Sequence, residues 1–139
     1  MFNKTIAEQL PDCKIISPEY CELLGAPIGM GSIGPCLNQY SSQLRNIKEK
    51  LRSIFRHDAL TLLLLSLWHP RSIYVLRSGP RFFSDAGIDN LDAALRETCS
   101  DCLCVPLNDK SWARATLPYQ SGGIGLRSAR DTTLPAFIS

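Results

Sequence analysis

The chain has 139 residues, 45% of them hydrophobic, with 15 Lys+Arg against 13 Asp+Glu. At ~100–200 residues per domain, that length fits one domain and excludes a complete multidomain enzyme. The composition is that of an ordinary globular chain, which argues against disorder, and a net charge of +2 lacks the excess of a polybasic binder.

The total conceals a division along the chain. Residues 1–35 carry a net charge of −2, 36–83 carry +6, 84–111 carry −4 and 112–139 carry +2. At the N-terminus Glu8 and Gln9 interrupt the apolar core that a signal peptide needs, so an intracellular chain is expected, nuclear or cytoplasmic. Lys14–Ser17 and Cys21–Leu24 are short runs separated by Pro18 and predict two short strands. The run from Gly25 to Pro35 reads as a glycine-rich turn.

From Leu37 the pattern changes to Leu37, Tyr40, Leu44, Ile47, Leu51 and Ile54, the spacing of a helix with a narrow apolar stripe, entered near Pro35. That stripe needs a partner to cover it. Asp58 is the expected cap of a second helix through the Leu-rich stretch to Trp68, where Pro70 breaks or kinks it before Ile73–Leu76, and Gly79-Pro80 ends it. The greasiest part, Ala59 to Trp68, is half the ~20 residues that span a bilayer and reads as core, so no membrane partner is expected. A third helix runs from Asp85 or Asp89 to Cys104, with Ile88, Leu91, Leu95, Thr98, Cys99 and Cys102 inward and Pro106 stopping it. Asn108 or Asp109 caps a short helix that holds Trp112 and ends at Leu117-Pro118, and a further helix begins after Arg127. The fold class is mainly α: a small helical array preceded by a short β-hairpin.

Three motifs invite chemistry. Gly29-Met-Gly31-Ser-Ile-Gly34 matches a dinucleotide fingerprint, but the helix after it is followed by another helix instead of a parallel strand, which leaves it a turn. Cys99, Cys102 and Cys104 begin like a zinc finger, yet lie at a helix end with no second pair downstream, and His57 and His69 lie upstream; free thiols are expected and no metal. Phe82-Phe-Ser-Asp85 resembles half of a polymerase metal turn, but Ala86 stands where a second Asp belongs, and Asp89 and Asp92 suit a helix N-terminus. The fourth feature is a row of cations. Arg45, Lys48, Arg52 and Arg56 follow one another at helical spacing, so they share a face that can track a phosphate backbone without reading sequence.

Leu23-Leu-Gly-Ala-Pro-Ile-Gly29, then Ile73-Tyr-Val-Leu-Arg-Ser-Gly-Pro80, then Trp112-Ala-Arg-Ala-Thr-Leu-Pro118 with Gly122-Gly-Ile-Gly-Leu-Arg-Ser-Ala129 form three anchors in this order. With them, the chain from about residue 13 resembles the post-palm region (primer grip, thumb and connection) of reverse-transcriptase-like proteins of non-long-terminal-repeat retrotransposons. The resemblance implies a palm-end hairpin and glycine-rich turn in 1–35, a thumb-like helical region in 36–105 and a connection-like segment in 106–139. It makes Leu23, Leu24 and Gly25 primer-grip-like, and turns the face of Arg45, Lys48, Arg52 and Arg56 toward an RNA–DNA hybrid or other nucleic acid.

The catalytic aspartates of that family lie N-terminal to the first anchor and its endonuclease lies elsewhere, so no residue here is assigned a catalytic, cofactor-binding or metal-ligating role. The parent family uses Mg, whose ligands have no counterpart in this sequence. The expected function is that of a non-catalytic fragment with weak, sequence-independent RNA/DNA backbone binding. The alternatives are a helical interaction module, whose apolar seam docks on a palm domain or another protein, and a remnant without function.

Overall fold

The computed structural model describes residues 17, 19, 21–78 and 83–138. It is mainly helical, with one two-stranded antiparallel hairpin ahead of the helices. Strands β1 (Glu22–Leu23) and β2 (Ala26–Pro27) pair Glu22 with Pro27 and Leu23 with Ala26. The Cys21–Leu24 run thus pairs forward with Ala26–Pro27, and residues 14–16 of the Lys14–Ser17 run lie outside the described residues. The two turn residues, Leu24 at φ 52° and Gly25 at φ 81°, take the mirror-image geometry that matches strand twist. Leucine there is uncommon, because its Cβ crowds the following carbonyl.

Helix α1 spans Met30–Arg52, starting seven residues before the first residue of the apolar stripe. Gly31, Gly34 and Pro35 lie inside it, so the segment read as a glycine-rich turn is helical. Tertiary anchoring explains the difference. Ile33 and Ser32 are buried, the Ser32 hydroxyl donates to the Cys21 carbonyl at 3.3 Å, and the Ile28 and Gly29 amides donate to the same oxygen at 2.9 and 3.0 Å. These contacts fix the start of α1 against the base of the hairpin. Pro35 then removes one backbone bond, to the Gly31 carbonyl, from a turn already held from outside.

Helix α2 runs unbroken from Arg56 to Arg77, entered from Phe55, with Asp58 in its first turn and not at the cap. Pro70 does not end it. The stretch Leu63–Trp68 winds as a π-helix and His69–Arg77 continues as α, placing Pro70 in the opening turn of the new register, where its lack of an N–H matters least. The Tyr40 hydroxyl donates to the Leu67 carbonyl at 2.8 Å, satisfying an acceptor in this irregular stretch. By length and composition alone α2 could cross a membrane; in the fold Ala59, Leu63, Leu64, Trp68, Val75 and Leu76 are buried, and Leu62 and Leu65 are exposed. Gly79-Pro80 and Phe82 lie outside the described residues.

Helix α3 (Asp85–Leu103) is capped by Ser84, whose hydroxyl accepts the Gly87 amide, and all six residues read as inward from sequence are buried. It packs along α1 and covers the stripe: Leu37, Leu44 and Leu51 join Leu91, Leu95 and Cys99 in the core. Small side chains at the crossing allow close approach, with Ser41, Ala94 and Thr98 fully buried and Thr98 Oγ1 donating to the Ala94 and Leu44 carbonyls. Helix α4 (Asp109–Thr116) is capped by Asn108 and tied back by Arg96, which donates to the Leu107 carbonyl at 2.6 Å and meets Asp109 at 2.8 Å. Helix α5 (Ala129–Ile138) begins where the Asp92 carboxylate accepts the Ala129 and Arg130 amides.

Candidate nucleic-acid interface

The cationic row lies on the flank of α1 that meets α3. Arg45 Nε stands 3.2 Å from Glu97 while its other nitrogen donates to Asn90 at 3.0 Å. The Lys48 ammonium is 2.6 Å from Asp101 Oδ2, an electrostatic contact without hydrogen-bond alignment, and Arg52 reaches Asp101 Oδ1 at 3.3 Å and Glu49 at 3.2 Å. Glu97 and Asp101 sit four residues apart, in step with the cations opposite. Three of the four residues are thus engaged by carboxylates of the chain itself. Arg56, at the start of α2, is exposed and makes no ion pair among the described residues.

The opposite flank of α1 is open. Gln39, Gln43, Asn46 and Lys50 follow each other at spacings of 4, 3 and 4 and face the second half of α2 across a groove. Its wider end, about 510 Å³, lies between the hairpin turn (Leu24, Gly25), Tyr40 and Tyr74. Its narrower end, about 310 Å³, is bounded by Asn46, Ile47 and Lys50, and Gln43 and Arg71 line both. From Gln39 to Lys50 the helix rises about 16 Å, comparable to about five base-pair steps of one strand. Lys50 and Arg71 supply positive charge, the three amides supply donors, and Glu22 at the hairpin end is the one carboxylate among the lining residues.

Leu24 and Gly25 of the hairpin turn form the lip of this groove, and Leu23 precedes them in β1. Leu23 is 60% and Leu24 89% exposed, and the Leu24 carbonyl accepts the Tyr74 hydroxyl at 2.9 Å, so the turn is moored to α2. Behind it, burial pushes the Tyr40 phenol far above its ordinary range against the pull of Arg71, and it stays a neutral donor to Leu67. The Cys36 thiol is also raised, first by burial and then by Glu22, which keeps it protonated and unreactive at neutral pH.

Structure brings Leu24 and Gly25 together with Arg71 and Lys50 along one groove, and keeps Arg45, Lys48 and Arg52 on the other side of α1. Sequence reasoning passed over Gln39, Gln43 and Asn46 because amides carry no charge to notice; their 4-3-4 spacing ending on Lys50 was the available signal. Cys99 and Cys102 are buried with raised thiol pKa values, burial being the chief cause, while Cys104 is exposed in the left-handed C-cap of α3. Among the described residues, no group of His, Cys, Asp or Glu is arranged to hold a metal ion. No protein-family model, curated protein or solved structure matches this chain.

Proposed function

We propose that the chain is a thumb-like helical module of the reverse-transcriptase-like kind, which holds a nucleic-acid backbone without reading its sequence and performs no nucleotidyl transfer with its own residues. The observation that carries this reading is the groove between α1, α2 and the hairpin, where Lys50, Arg71 and three amide side chains line one continuous surface. The resemblance of residues 23–29 and 73–80 supports it, since Leu24 and Gly25 of the first anchor and Tyr74 and Val75 of the second line that groove.

The test is fluorescence anisotropy of a labelled RNA–DNA hybrid across salt concentrations. Two phosphates neutralised give a log–log slope of about −1.8, which weakens binding about twelvefold between ~50 and ~200 mM salt. Lys50→Ala with Arg71→Ala removes that dependence, whereas Arg45→Ala leaves it nearly intact. Salt-independent binding, or no binding at low salt, overturns the reading.

One observation favours a second role. Ile54, Phe55 and Leu62 are exposed together at the α1–α2 corner, with Phe55 at 84%, and an apolar cluster of this kind suits a protein partner. The apolar seam of α1 is not that surface, because Leu44 and Leu51 are covered by α3. Light scattering decides it: Phe55→Asp abolishes a self- or hetero-complex formed through this corner and leaves the fold intact.

A further inference from the structure

The Gly122-Gly-Ile-Gly-Leu-Arg127 segment is the most distinctive string in the chain, and the groove makes no use of it. Each glycine has a geometric reason. Gly122 takes a left-handed φ of 78°; a Cβ on Gly123 would fall 1.9 Å from the Leu117 carbonyl oxygen; Gly125, at φ 70°, lies so close under the Tyr119 ring that a Cβ would approach Cε2 to 3.1 Å. The strap is also bonded down, with the Ile124 and Leu126 amides donating to the Ala115 carbonyl, the Gly125 amide to Leu117, and Trp68 Nε1 to the Arg127 carbonyl at 2.7 Å.

This rigid backbone makes the wall of a pocket of about 280 Å³, completed by His69, Thr116 and Pro118. Tyr119 is 73% exposed, so with Gly125 against its ring it offers the remaining surface to solvent. Arg127 is exposed two residues further on and makes no side-chain ion pair among the described residues, and no carboxylate lines the pocket. Its charge is felt locally. The His69 imidazole is held below its ordinary pKa, first by burial and then by Arg127, and its Nε2 is buried without a partner among the described residues.

We propose that this pocket binds one nucleotide of a single strand, its base stacked on the Tyr119 ring and its phosphate on the Arg127 guanidinium. An aromatic face beside an uncompensated guanidinium is the pairing that unpaired nucleic acid requires, and it tolerates any base because every base has a π-face. The choice of a nucleotide over a bare anion rests on Tyr119. The proposal extends the nucleic-acid reading of the groove but uses no residue of it.

The experiment is an NMR titration of the full chain, following the ring signals of His69 and Tyr119, with AMP, adenosine, inorganic phosphate and a 5′-phosphorylated trinucleotide. Saturable shifts of both rings by AMP and the trinucleotide are expected. Phosphate neutralises the Arg127 field and raises the His69 titration midpoint; adenosine moves Tyr119 alone. Arg127→Ala and Tyr119→Leu each weaken AMP about tenfold, and Lys50→Ala with Arg71→Ala leaves it unchanged. Absence of any saturable shift overturns the proposal, as does phosphate binding as tightly as AMP with Tyr119 unmoved. AMP binding that persists when hybrid binding fails removes the groove and keeps the pocket, and the reverse result removes the pocket alone.

Discussion

Asp101 is the residue on which the assignment of cations turns. It serves both Lys48 and Arg52, and its side chain is only 23% exposed. Asp101→Asn keeps the shape, frees Lys48 and leaves Arg52 with Glu49 as its remaining carboxylate. Partly exposed pairs contribute roughly 0.2–1 kcal/mol each, so losing the carboxylate that holds two of them lowers stability by about 1 kcal/mol, readable in urea denaturation. The effect on binding has the opposite sign. The one released cation, free to neutralise a phosphate, steepens the salt slope for an RNA–DNA hybrid by about −0.9 and raises low-salt affinity several-fold. A less stable protein that binds more tightly is an unusual pair of outcomes, and anisotropy with denaturation on one preparation checks both. The reasoning fails if Asp101→Asn leaves the slope unchanged while Lys48→Ala weakens the wild type as much as Lys50→Ala does, because the row would then already be on phosphate despite its carboxylate partners.

Gly123→Ala forces a backbone rearrangement against the Leu117 carbonyl and destabilises by several kcal/mol, whereas Gly122→Asn, in open space at a left-handed φ, stays within about 1 kcal/mol; equal thermal shifts would show that the strap is looser than described. Asp92→Ala leaves the Ala129 and Arg130 amides without their acceptor and costs about 1–2 kcal/mol, seen first as faster hydrogen exchange in α5 while α3 stays protected. Because the folded chain keeps His69 neutral, the unfolded chain binds the extra proton once pH falls below about 6.5, so stability is full above that pH and declines as pH drops toward the lowered folded value. Chemical denaturation at about pH 7.5 and about pH 5.5 shows this difference in the wild type and a smaller one in His69→Gln; equal differences refute it.

How much of this was legible varied with the range of the interaction that decided each part. The inward face of α3 was readable because one helix repeats its own burial pattern, and Asn108 was readable because a cap acts within three residues. The start of α1 was not, since the anchoring of Ser32 and Ile28 on Cys21 is tertiary while Gly31, Gly34 and Pro35 all signal a turn locally. Pro70 marked the place of an interruption but not its form, a change of winding over Leu63–Trp68 beside the Tyr40 and Trp68 rings, whose centroids are 6.4 Å apart. For the site, three of the four cations lie on one helix as their spacing predicts, while Arg56 falls on the next helix, and the carboxylates of α3 that meet Arg45, Lys48 and Arg52 lie about fifty residues away. The opposed charges of 36–83 and 84–111 were the visible trace of that pairing, and the structure realises them in part as contacts between α1 and α3.

The π stretch in α2 also sets which way the molecule faces. One residue of an α-helix corresponds to about 100° of rotation, so a turn holding extra chain puts the two halves of a single continuous rod out of phase. The first half points Ala59 and Leu63 into the core; the second keeps Val75 and Leu76 there while presenting Arg71 and Tyr74 to the hairpin. Rewinding Leu63–Trp68 as a uniform α-helix with all six residues kept would turn Arg71 and Tyr74 about 100° away from the groove, whereas deleting one residue there would leave both facing it. Here the direction of a binding surface is written in the number of residues per turn.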